Sequence, residues 1–154
     1  VDAMAQLTFT VHGALARIAA TNDLSIIQIR LLGLLRDRRP TITELAALLQ
    51  LDKSSVTGLV DRAQERGLVQ RTASRVDGRS VHVSITPVGR EVIDAGSAAF
   101  EGEIAVLVAD LTIPQRTRLA AIATHIVAAD AQRRGIDILN AEPSPPESST
   151  AVRR

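Results

Sequence analysis

The sequence predicts a mainly α-helical chain carrying a small two- to three-stranded β wing. Apolar residues recur at helical spacing along most of its length. The period changes in one place only, where Val81-His82-Val83-Ser84-Ile85-Thr86 alternates with apolar residues at 81, 83 and 85. Between that run and the strand-like Leu68-Val69-Gln70-Arg71-Thr72-Ala73 lies Asp77-Gly78, a strong hairpin signal.

Each element follows from its residues. Leu7, Val11, Leu15 and Ile18 share a stripe, which predicts a first helix from Leu7 to Ala20, broken at Thr21-Asn22-Asp23. Ile27, Leu31, Leu34 and Leu35 mark a second, from Leu24 to Arg38, stopped by Pro40 because the residue before a proline is pushed out of helical geometry. Thr41 and Glu44 form a capping box, each able to satisfy the other's free backbone N–H, so a third helix opens there and buries Leu45, Ala46, Leu48 and Leu49. It must be short, since Leu51-Asp52-Lys53-Ser54-Ser55 reads as a turn with Asp52 as the next N-cap. The fourth helix puts Val56, Leu59, Val60 and Ala63 on one face and ends at Gly67. After the hairpin, Thr86-Pro87 restarts a helix whose stripe runs through Val92, Ile93, Phe100, Ile104 and Leu107 to Asp110. Thr112 and Gln115 cap a last helix over 112–134, lined by Leu119, Ile122, Ile126 and Val127. From Ala141 the Pro- and Ser-rich composition cannot pack a core, so 141–154 is expected to be a disordered tail.

The organisation expected is an N-terminal helix (1–22), a winged unit (23–87), two C-terminal helices (88–140) and the tail (141–154). Zero Cys removes disulfides, thiolate catalysis and cysteine-ligated zinc. His12, His82 and His125 lie too far apart in sequence for a local metal motif, so no metal and no cofactor are expected. No nucleophile with an adjacent base, phosphate-cradling glycine loop or paired carboxylates is visible, so an enzyme is not expected. No apolar run approaches membrane-spanning length, and no basic region precedes an apolar stretch at the N-terminus; the expectation is a soluble cytoplasmic protein that does not engage a membrane.

Net charge is only +1, but its distribution is informative. Residues 53–90 hold Lys53, Arg62, Arg66, Arg71, Arg75, Arg79 and Arg90 against Asp61, Glu65 and Asp77. Two short helices joined by a tight turn and followed by a two-stranded wing make a winged helix-turn-helix, whose second helix enters the DNA major groove. The outward face of that helix carries Lys53, Ser54, Ser55, Thr57, Gly58 and Arg62. Small residues allow close backbone approach, and hydroxyls and cations suit phosphates and base edges. At the hairpin tip, Arg75 and Arg79 suit a neighbouring minor groove, where negative potential attracts arginine. Arg66 and Arg71 are expected to meet either phosphate or an acidic neighbour. The helices over 88–110 and 112–134 carry more apolar stripe than the winged unit can cover, which predicts a two-fold homodimer presenting two reading helices to double-stranded DNA.

The residues Leu45-Ala46, Leu51-Asp52-Lys53-Ser54-Ser55-Val56-Thr57-Gly58-Leu59-Val60-Asp61-Arg62, Arg66-Gly67-Leu68-Val69-Gln70-Arg71, Asp77-Gly78-Arg79 and Ile85-Thr86-Pro87-Val88-Gly89-Arg90 resemble, as an ordered set, the MarR family of bacterial transcription regulators. With the flanking helices the resemblance extends over roughly residues 5–138. It implies a homodimer of winged helices on a palindromic operator, most often a repressor, with the first and last two helices forming the dimer. It also implies that Arg79 enters the minor groove while Asp77 helps to hold it. Ala63 stands where the family often has a larger apolar residue, which predicts looser packing there.

Many members of that family bind small lipophilic or aromatic effectors in a cleft between the dimer helices and the reading unit. Here such a cleft would draw on His12, Ala16, Ile27, Arg30 and Leu31. With only Phe9 and Phe100 among aromatic residues, stacking on an effector would be limited. The alternative to an operator-specific regulator is a winged-helix module for chromosome architecture or protein contacts. The two differ in whether one palindrome is preferred over random DNA.

Overall fold

The structure, a computed structural model, describes residues 1–73 and 81–136. The hairpin tip with Arg75, Asp77 and Arg79, and the expected tail over 141–154, lie outside the described residues. The element order is α1 (Asp2–Thr21), α2 (Ile26–Leu35), α3 (Ile42–Leu49), α4 (Lys53–Glu65), β1 (Val69–Ala73), β2 (Val81–Ile85), α5 (Pro87–Leu107) and α6 (Ile113–Arg133).

Most of the helix starts are made by the predicted side chains. Thr41 accepts from Glu44 N–H at 3.3 Å, and Glu44 Oε2 accepts from Thr41 N–H at 2.6 Å. Asp52 Oδ1 accepts from Ser55 N–H at 2.8 Å, and Thr86 Oγ1 accepts from Gly89 N–H at 3.0 Å. At α6, Gln115 Oε1 accepts from Thr112 N–H at 2.8 Å. Two helices differ from expectation. α1 begins at Asp2, not Leu7, because its first turns lie in solvent and carry no burial stripe to mark their start. α2 is shorter at both ends: it opens at a capping box between Ser25 and Gln28 and closes at Leu35, where Arg90 donates to the Arg36 carbonyl at 2.7 Å.

β1 and β2 pair antiparallel, from Val69 opposite Ile85 to Ala73 opposite Val81. Thr41 adds a single bridge to His82, and Val83 N–H donates to the Pro40 carbonyl at 2.8 Å, so the chain entering α3 lies along the far edge of β2. This contact alters the expected alternation. Ser84 is buried beside Val83, Val81 is exposed, and His82 is half-buried rather than solvent-facing, its Nδ1–H donating to the Arg39 carbonyl at 2.8 Å.

One apolar cluster joins α2, α3, α4, the wing and the start of α5, with Leu31, Leu32, Leu35, Leu45, Val56, Val60, Val69 and Val83 fully buried. Each such side chain contributes about 1.5–3 kcal/mol relative to exposure. Ala63 is 1% exposed within this cluster. Gly89 is fixed by close approach: a Cβ there would lie 2.1 Å from the Leu68 carbonyl oxygen. That carbonyl accepts from Thr86 N–H at 3.0 Å, so the base of the wing and the start of α5 are locked together.

α1 touches this body through Ala14, Ile18 and Ala19, while residues 1–10 are exposed throughout. α6 buries only Ala131. Among the described residues no single helix is long and apolar enough to cross a membrane.

Candidate nucleic-acid interface

α4 is an amphipathic helix held at its back by Val56, Leu59, Val60 and Ala63, all buried. Its outer face is therefore fixed by the core. On that face Lys53, Ser54, Ser55, Thr57 and Arg62 are exposed and Gly58 is half-buried. Among the described residues no carboxylate pairs with Lys53 or Arg62, so both cations are available to a ligand.

The three hydroxyls are held within the helix. Ser54 Oγ donates to Asp52 Oδ1 at 2.5 Å, Ser55 Oγ to Asp52 Oδ2 at 2.7 Å, and Thr57 Oγ1 to the Lys53 carbonyl at 2.8 Å. Each keeps its oxygen lone pairs for an incoming donor. Asp52 gathers so many donors that its carboxyl is held far below the usual carboxylate range, the Ser54 hydroxyl first, then the Ser55 N–H and the Ser55 hydroxyl. The anion at the head of the helix is thus committed to the cap and oriented by it.

Two arginines of the basic segment are structural. Arg71 Nη2 pairs with Asp61 Oδ1 at 2.7 Å, and its Nη1 donates to Gln64 Oε1 at 3.1 Å, tying β1 to α4. Arg66 donates to the carbonyls of Asn22, at 3.0 Å, and Asp23. Its partners are backbone oxygens, which side-chain spacing in the sequence does not reveal.

The turn between α3 and α4 is tight. Gln50 takes left-handed geometry at φ 59°, and Leu51 N–H donates to the Ala46 carbonyl at 3.0 Å. Arg30 reaches over from α2 and donates to the Leu48 and Leu49 carbonyls at 3.0 and 3.4 Å, placing a cation at the C-terminus of α3. This ties Arg30 to the helix pair.

The other residues assigned from sequence to an effector cleft are dispersed in burial. Leu31 lies fully in the core, Ile27 packs against it, and His12 and Ala16 are exposed on α1. A cleft of about 140 Å³ lies further along, between α1 and α5, lined by Thr10, Val11, Ala14, Ile104, Val106 and Leu107. Arg17 and Glu103 pair across it at 2.7 Å. Sequence reading did not identify this cleft, because a junction between two amphipathic helices has no local motif.

The family model for the MarR family matches residues 22–80. Among curated proteins no match was found. Solved structures are similar over most of the chain. A probable transcriptional regulator from Pseudomonas aeruginosa is 27% identical, with 79% of this chain and 95% of that one covered and a TM-score of 0.61. A MepR variant from S. aureus bound to an oligodeoxyribonucleotide is 19% identical, covering 82% and 94%, with a TM-score of 0.62. CouR from Rhodococcus jostii bound to p-coumaroyl-CoA is 21% identical, covering 89% and 92%, with a TM-score of 0.68. The six helices and two-stranded wing among the described residues match the fold of these neighbours, and residues 22–80 match the MarR family model.

Proposed function

We propose that the protein is a sequence-specific DNA-binding transcription regulator, acting as a homodimer on a palindromic operator with repression as its usual effect. One observation carries this reading. α4 presents a small, polar face whose cations Lys53 and Arg62 have no acidic partner among the described residues, on a helix whose back is fixed in the core. A helix so mounted fits the major groove, with Ser54, Ser55, Thr57 and Gly58 close to base edges and Lys53 and Arg62 at its ends. Arg75 and Arg79, steadied by Asp77, would take the adjacent minor groove from the wing tip. The DNA-bound MepR neighbour shares the fold and supports this mode. The exposed apolar face of α6 supports the dimer.

Release by a small lipophilic or aromatic molecule completes the reading. CouR, which has this fold, holds p-coumaroyl-CoA. In this chain the surface around His12 and Ala16 and the cleft between α1 and α5 are the places where such a molecule would meet the helices that set the dimer. An effector acts by binding better to a dimer whose reading helices no longer match the operator spacing.

Titration of the purified protein against its own upstream DNA and scrambled DNA of equal length, at two salt concentrations, tests the reading. The upstream fragment should be preferred about 10³-fold or more. Arg79→Ala should weaken that preference while the protein remains folded. Equal and strongly salt-dependent binding to both fragments would instead indicate backbone-only association, as in an architectural protein.

A further inference from the structure

Arg66 joins two helix ends that are distant in sequence. It is the C-cap residue of α4, and its guanidinium forks onto two successive carbonyls, those of Asn22 and Asp23. Asn22 is the C-cap of α1, and Asp23 turns the chain there in left-handed geometry at φ 51°. The turn closes immediately, with Leu24 N–H donating to the Ala19 carbonyl at 2.9 Å. A cation is thus held against the negative end of the α1 dipole by a planar group that fixes direction as well as distance.

We propose that Arg66 is a positioning residue that sets the angle of the reading helix relative to the dimer arm, and so the operator spacing the protein accepts. This rests on the DNA-reading dimer proposed above. α1 packs along α5, with Ala14, Ile18 and Ala19 buried and Arg17 paired with Glu103, so α1 and α5 form one arm whose end meets α4 through Arg66. The Arg66 fork is attached to that end. A dimer reads two half-sites about 34–36 Å apart, and one base pair of extra spacing moves a half-site by about 3.4 Å while rotating it by about 34°. A change in the angle between that arm and α4 changes the half-site separation the dimer matches. Arg66 is exposed, so its hydrogen bonds to neutral carbonyls matter more as an angular restraint than as core stability.

The test first selects the preferred palindrome from random DNA with the full-length wild-type protein, then places its half-sites at the selected spacing and at one base pair less, one more and two more. Wild type should lose about tenfold or more at each wrong spacing, as it would for a mismatched base pair. Arg66→Ala should remain dimeric and folded and bind random DNA as before. It should lose affinity at the best spacing and discriminate between spacings by no more than about threefold. Arg66→Lys keeps the charge without the fork and should also broaden the profile, and it serves if the Ala variant does not fold. Three results would overturn the proposal: an unchanged spacing profile in either variant, a uniform loss on all DNA (a phosphate contact), or full retention by Lys (charge alone). Failure of wild type to select any palindrome would overturn the DNA-reading dimer itself, and is seen before any variant is made.

Discussion

Gly58 separates what a residue does for the helix from what it does for a ligand. It sits mid-α4, where glycine is less favourable than alanine by about 0.8–1.0 kcal/mol. Among the described residues nothing requires its lack of a side chain: a Cβ there would meet only the Arg62 Nη1 tip, at 3.4 Å. Gly89 is the contrast, with a backbone carbonyl where its Cβ would go. Gly58→Ala should therefore raise stability in a denaturant titration by about 0.5–1 kcal/mol. If the backbone of α4 approaches a base pair at that point, the same variant should bind operator DNA more weakly. Gain of stability with unchanged DNA affinity would remove Gly58 from the interface. The sequence made the outer face of α4 legible because an apolar stripe of four residues fixes which side is out. It hid the commitments of Ser54, Ser55 and Thr57 to Asp52 and the Lys53 carbonyl, since local hydrogen bonds of hydroxyls depend on rotamers that spacing does not specify.

The two helices of the reading pair are started by carboxylates, and this gives them a shared response to acid. Thr41 N–H lowers the Glu44 carboxyl from its ordinary value, against partial burial, with the Thr41 hydroxyl and the charge of His82 adding to the lowering. Asp52 is lowered further by its three donors. A carboxylate with a depressed folded-state value contributes stability that is fully present above the unfolded value, about 4, and is lost as pH falls through the folded value. The melting temperature should therefore fall as pH drops from about 5 downward, and Glu44→Gln with Asp52→Asn should flatten that fall while lowering the melting temperature at pH 7. An unchanged acid limb would mean that other carboxylates set it. Such caps were legible because their partners sit at fixed short spacings. The end of α2 and the burial of His82 and Ser84 were not, because they depend on Arg90 and on the chain at Pro40, which approach from far along the sequence.

At the scale of the whole molecule the apolar surface is unevenly distributed. The body around α2, α3 and α4 is closed, while α6 leaves Leu119 at 41%, Ile122 at 49%, Ile126 at 50% and Val127 at 45% exposure, and α1 leaves Met4 and Phe9 at 59% and 69%. Leu119, Ile122 and Ile126 fall at intervals of three and four and Val127 lies eight residues from Leu119, so the four form one continuous strip. A strip of that kind marks an interface, and in the proposed homodimer a second copy of the chain would cover it with the same strip about a two-fold axis. Ile122→Asp with Ile126→Asp places two charges there without touching the reading helix. Light scattering should then show a monomer, and far-UV circular dichroism should show helix retained in the body. Affinity for a palindromic operator should fall by about 100-fold or more, because each half-site is then bound alone. Affinity for a single half-site should be unchanged. A variant that stays dimeric would place the interface elsewhere. A monomer that still binds the palindrome as tightly would mean that α4 and the wing read DNA without the pairing that the two exposed helices suggest.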